Sequence, residues 1–75
     1  MRRDLLEKLL RYNIKKKELE TLLAGLGFIL KPGKGSHEKW IKTGFPPIVV
    51  ASHDKDVKDY LIKQVIRVLQ IGGFL

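Results

Sequence analysis

Apolar residues recur at helical spacing from the start of the chain. Leu5, Leu6, Leu9 and Leu10 predict a short helix over residues 2–11, decorated by Arg2, Arg3, Lys8 and Arg11. Tyr12-Asn13 ends it. Leu19, Leu22, Leu23 and Leu26 stand at i, i+3, i+4 and i+7, which predicts a second amphipathic helix over residues 15–26. Gly27 follows the last stripe residue and suits a helix C-terminus. The period then changes. Phe28-Ile29-Leu30-Lys31 reads as a strand, and Pro32-Gly33-Lys34-Gly35 reads as a turn. Residues 36–42 form a second strand, broken by Thr43-Gly44-Phe45-Pro46-Pro47, whose prolines cannot donate to a ladder. Ile48-Val49-Val50-Ala51 is a third strand, β-branched and buried. Residues 52–56 are a polar connection ending in residues that favour helix N-caps. A last helix is predicted over residues 57–71, with Leu61, Val65, Val68 and Leu69 in one stripe widened by Ile62 and Ile66. Gly72-Gly73 stops it, and Phe74-Leu75 is placed to tuck back on the core.

The order helix, helix, three strands, helix implies an α+β architecture. Sequential strands joined by short turns pair antiparallel. Amphipathic helices cover one face of that sheet and give a two-layer sandwich. The other face stays open to solvent or a partner. The chain has no internal repeat and no low-complexity tract.

Composition narrows the function. Seventy-five residues make one small domain, and such a chain buries only about 60% of the surface its unfolded form exposes. That leaves little room for a deep pocket or a buried organic cofactor, and no cofactor is expected. The absence of cysteine excludes a disulfide framework and a thiolate metal site, and fits a reducing, cytoplasmic compartment. No apolar run approaches the roughly 20 residues that span a bilayer. Met1-Arg2-Arg3 is followed by Asp4 and Glu7 without an apolar core, so no secretory signal is expected. A net charge of +7 favours a polyanionic partner: nucleic acid, an acidic protein or an anionic membrane surface. Simple solubility would account for the same charge.

The chemistry-bearing candidates are few. The chain has two histidines, and His37 enters a strand directly after Gly35-Ser36, flanked by Lys31, Lys34, Lys39 and Lys42. Imidazole exchanges protons near neutral pH, and ammonium groups supply charge where an anionic substrate would lie. Strand alternation puts His37, Lys39 and Ile41 on one side and Glu38, Trp40 and Lys42 on the other. The plain alternative is a surface histidine after a turn. Gly33 and Gly35 allow close backbone approach to a phosphate, although a glycine hairpin turn needs no ligand. The loop lacks the Gly-Lys-Ser/Thr ending of a Walker loop. His53, in Ser52-His53-Asp54, reads as a loop residue, with a second proton donor or an RNA contact as alternatives. The spacing of His37, His53 and Asp54 matches no standard metal site, and no metal is expected. Trp40 reads as core or half-buried rather than as a base-stacking ring. Lys15-Lys16-Lys17 opposes the dipole of the helix it opens, which fits either a phosphate contact or a solvated helix start. Asp54, Asp56 and Asp59 surround the start of the last helix and read as structural. No paired-carboxylate, Ser-His-Asp or nucleotide signature is present.

Taken together, a helix ending Leu26-Gly27-Phe28, then Lys31-Pro32-Gly33-Lys34-Gly35-Ser36-His37, Trp40-Ile41, Ile48-Val49-Val50 and a closing amphipathic helix resemble the HicA toxins of bacterial toxin–antitoxin pairs. The resemblance covers about residues 14–74. It implies a fold like a double-stranded-RNA-binding domain (dsRBD) and a small ribonuclease that cleaves mRNA. It also implies neutralisation by a partner antitoxin, HicB, with the toxin a monomer or part of a small oligomer in that complex. The family's active histidine falls on His37. Two departures stand out: residues 1–13 look like an added N-terminal helix before a domain at 14–75, and residues 52–59 are unusually acidic. On this reading the chain is an endoribonuclease that needs no metal, because RNA carries its own nucleophile. His37 is the base or acid. Lys34 and Lys39 stabilise charge, Gly35 and Ser36 position the phosphate, and Lys16 and Lys17 add phosphate contacts. The alternatives are a non-catalytic dsRBD-like RNA-binding module and a domain whose basic face docks an acidic protein.

Overall fold

A computed structural model describes residues 2–33, 35, 37–51 and 56–75. Among them the elements run α1 (Arg3–Leu10), α2 (Lys16–Gly25), β1 (Ile29–Pro32), β2 (His37–Ile41), β3 (Ile48–Ala51) and α3 (Asp59–Ile71). The strands form one antiparallel sheet in the order β1-β2-β3. Alternation along β2 and β3 turns Trp40, Ile48 and Val50 inward, where all three are buried. The helices supply the rest of the core: Leu19, Leu22, Leu23 and Leu26 from α2 and its end, and Leu61, Ile62, Val65, Val68 and Leu69 from α3. α2 packs against β1 and α3 against β3, while α1 packs on both α2 and α3 and adds Leu5 and Leu9 to the same core. The result is the α+β, dsRBD-like sandwich with one open sheet face. None of the described helices is long and apolar enough to cross a membrane.

Most element ends fall within a residue of the pattern-based reading, and the shifts of β1 and α3 have physical reasons. β1 starts at Ile29 rather than Phe28, because Phe28 completes the end of α2: its N–H donates to the Leu23 carbonyl at 3.0 Å and its ring is buried. Pro32 closes β1 opposite Glu38 and is tolerated because β1 is an edge strand. α3 starts at Asp59 rather than at 57. Asp56 forms a backbone bridge to Lys15 just ahead of α2, and Lys58 takes the N-cap position without a side-chain cap bond. The carboxylates around the start of α3 therefore do not cap it in the expected way, and Asp54 lies outside the described residues. Trp40 is core, as its pattern suggests. Phe74 does fold back: it stacks on Phe45 at 5.5 Å, and Phe45 meets Phe28 edge-on at 5.4 Å. Leu75 is exposed.

All three helices among the described residues end the same way. In each, a left-handed residue follows the last turn, and the two N–H groups there donate back to the last carbonyls of the helix. Gly27 and Gly73 hold that position in α2 and α3, where φ is +94° and +80°. In α1 the position belongs to Tyr12, at φ 57°. A side chain there crowds the backbone, at a cost of about 1–2 kcal/mol that glycine avoids. Glycine gives part of this back through the larger entropy of its unfolded state. Tyr12→Gly is therefore expected to stabilise the chain by about 0.5–1 kcal/mol, raising Tm by a few degrees in a domain of this size. Thermal unfolding followed by circular dichroism checks it; a lower Tm would show that the phenol ring, about two-fifths exposed, contributes packing that outweighs the strain.

Lys8 of α1 pairs with Glu18 of α2 across the helix junction. The Glu18 carboxylate also accepts the Lys15 N–H at 3.0 Å. The Lys8 hydrogen bond, helped by this N–H, holds the Glu18 carboxyl below the usual glutamate range. It also places one acid at a helix start otherwise crowded by Lys15, Lys16 and Lys17.

Candidate functional site

The open face of the sheet follows from register. Opposite Ile41 on β2 lies Ile29; opposite Lys39 lie Lys31 on β1 and Val49 on β3; opposite His37 lies Ala51. These residues share the face that no described helix covers. Ile29 is 64% exposed, and Lys31, His37, Lys39 and Val49 are all exposed. The face is therefore a cationic row, Lys31–Lys39, bordered by apolar side chains and by one imidazole.

His37 is fixed in place by the hairpin that precedes it. The Gly33 N–H donates to the His37 carbonyl at 2.9 Å, closing the turn. A Cβ at position 33 would stand 2.7 Å from that carbonyl oxygen, so the backbones meet at a distance only glycine permits. The requirement for Gly33 is thus the hairpin itself. Gly35 sits at the tip with φ +64° and open space around it. Lys31, Pro32, Gly33, His37, Lys39 and Val49 together line an open groove of about 740 Å³.

The charge of this groove carries a stability cost. Like charges directly opposite in an antiparallel pair are destabilising, on a scale of about 0.2–1 kcal/mol. No carboxylate lines the groove among the described residues. Such an arrangement can receive a phosphodiester across the Lys31–Lys39 row with the imidazole beside it. Lys, as a compact charge on a flexible stem, suits phosphate contact.

The other sequence candidates separate into groups. His37, Lys39 and Gly35 come together around the hairpin. Lys16 does not join them: its Nζ stands 3.6 Å from Glu38 Oε1, on the side of β2 that faces the helices. Lys17 is exposed on α2. Lys42 is turned toward the aromatic cluster, with its Nζ 5.9 Å from the centre of the Phe45 ring. Lys34, Ser36 and His53 lie outside the described residues. Lys31, grouped by its motif only with the cations flanking His37, proves to be the direct partner of Lys39. The signal that finds it is arithmetic on the hairpin, because Lys31 and Lys39 stand symmetrically about Gly35 and so must face one another.

A family model described as HicA toxin of bacterial toxin-antitoxin matches residues 17–71. The matched span holds nearly all of α2, the whole sheet with His37, and α3 to its last residue, and leaves α1 outside. No curated protein and no solved structure matches the chain. The matched span is well over half of the sequence and carries the fold and the histidine hairpin together, so the chain belongs to the HicA family of bacterial toxin–antitoxin toxins.

Proposed function

We propose that this toxin is an endoribonuclease that cleaves mRNA with His37 as its proton-transfer residue. The observation that carries the reading is the position of His37: exposed on the open sheet face, beside Lys39, in a groove that no carboxylate lines among the described residues. RNA supplies the nucleophile. The 2′-oxygen attacks the adjacent phosphorus as its proton passes to a base, the P–O5′ bond breaks, and the 5′-oxygen leaves as a hydroxyl after gaining a proton. A neutral imidazole at position 37 takes the first proton, and the imidazolium so formed is able to give one back. The Lys39 ammonium offsets the charge that grows on the phosphate oxygens. Lys34, Gly35 and Ser36 keep their sequence-based role of positioning the phosphate, and Lys17 that of an outlying contact. Lys16, engaged with Glu38, would act there only by leaving that carboxylate. A HicB-like antitoxin is the protein partner and the cytoplasm the site of action that go with this reading. No metal is required by the chemistry.

The test is product analysis. Single-stranded RNA incubated with the purified protein in chelator is expected to give fragments with 2′,3′-cyclic phosphate and 5′-hydroxyl ends. Salt-sensitive binding without turnover would replace this reading by a non-catalytic RNA-binding module.

A further inference from the structure

We propose that Lys31 is a second phosphate-binding residue, acting with Lys39 on the same phosphodiester; this rests on the ribonuclease reading above. Lys31 and Lys39 are directly opposed in register on the open face, and both line the groove that holds His37. Directly opposed side chains stand about 5 Å apart at Cβ. His37 lies two residues from Lys39 on the same side of β2, a distance of about 7 Å along the strand. Both lysines and the imidazole thus border the same open groove, within reach of one ribose-phosphate link.

The opposite face of the same strand provides the contrast. There the chain places Glu38 within 3.6 Å of Lys16 and so balances charge. On the open face it sets two cations against one another with no described carboxylate in the groove. Folding alone gains nothing from that repulsion; an anion lying across both residues relieves it. A phosphodiester has two non-bridging oxygens, and both gain charge when the 2′-oxygen attacks. Two flexible ammoniums from neighbouring strands can each contact one of them. Such charge-assisted contacts strengthen as the charge develops.

The predicted signature is a loss of activity without a loss of stability. Lys31→Met keeps the aliphatic stem and removes the charge. It is expected to lower single-turnover RNA cleavage by about 10- to 100-fold, less than the 10²–10³-fold for a donor in a closed site. Its Tm should equal or exceed the parent's, because the opposed pair is gone. In a His37→Ala background, adding Lys31→Met should weaken RNA binding and flatten the log–log salt slope by about 0.7, one single-strand phosphate contact. Lys31→Arg should retain most of the cleavage. Lys63→Met, the same charge change on the exposed side of α3, is the control for bulk electrostatics. If the parent cuts RNA and Lys31→Met is no more impaired than Lys63→Met, the Lys31 assignment fails alone. If the parent cuts no RNA, the ribonuclease reading fails, and the salt slope still decides whether Lys31 holds phosphate. A parent that neither cuts nor binds overturns both.

Discussion

His37→Ala is expected to cleave RNA about 10²- to 10⁴-fold more slowly than the parent chain, the range for one positioned proton-transfer group. The fold should survive the change. His37 is exposed at the first position of β2, so its removal opens no cavity in the core. The hydrogen bond that closes the hairpin uses the His37 carbonyl rather than its ring, and alanine keeps it. RNA affinity should change little, since phosphate charge is met by lysines. The measurement is a single-turnover cleavage rate beside a binding curve on the same RNA. His37→Gln, which fills similar space and can hydrogen-bond but cannot exchange a proton near neutrality, should be as slow as the alanine variant. Equal cleavage by all three proteins would remove His37 from the mechanism and turn attention to a different proton carrier. A large drop in affinity with an unchanged rate at saturation would recast His37 as a binding residue.

What makes such a variant informative is that fold and site are separable here. The core lies between the sheet and the helices, and the groove lies on the sheet's other side. Substitutions on the open face should therefore report on substrate, and substitutions on the inner face should report on stability.

The parts of this arrangement that depend on local pattern were readable along the chain. Period-2 alternation put His37 and Lys39 on one side and Trp40 on the other, and β3 falls on the β-branched run at its expected limits. Gly27 ends α2 as its place after the leucine stripe suggested. What was not readable depends on residues distant in sequence. Asp56 pairs with Lys15 rather than capping α3, so the helix begins later. Lys16 belongs to a charged run that opposes the helix dipole, and only the approach of β2 reveals Glu38 as its counterpart. Lys31 needed the hairpin register, because a lysine before a proline turn carries no sign of what it will face.

Leu9→Ala is expected to cost about 2–5 kcal/mol of folding stability. Leu9 has no exposed surface, and it sits in one cluster with Leu5, Leu19, Leu22, Leu23 and Leu69. At about 0.05–0.15 kcal/mol per residue, a chain of this length has roughly 4–11 kcal/mol in total, so this one truncation removes a large share. The family match begins after α1, which would suit a helix that merely decorates a complete domain. The packing argues otherwise. α1 lies against both α2 and α3, its two buried leucines enter the shared core, and the Lys8–Glu18 pair fastens its end to α2. Leu10→Ala is the internal control: it changes the same residue type on the same helix at a position 46% exposed, and should move stability by no more than about 0.5 kcal/mol. Urea unfolding compares the two, with the midpoint falling at constant slope if only native packing is lost. Equal, small shifts for both variants would mean that α1 detaches without consequence and that the remaining chain closes its own core. A large shift confined to Leu9→Ala makes α1 a structural part of this toxin, so that trimming the chain to the matched span should leave it unable to fold.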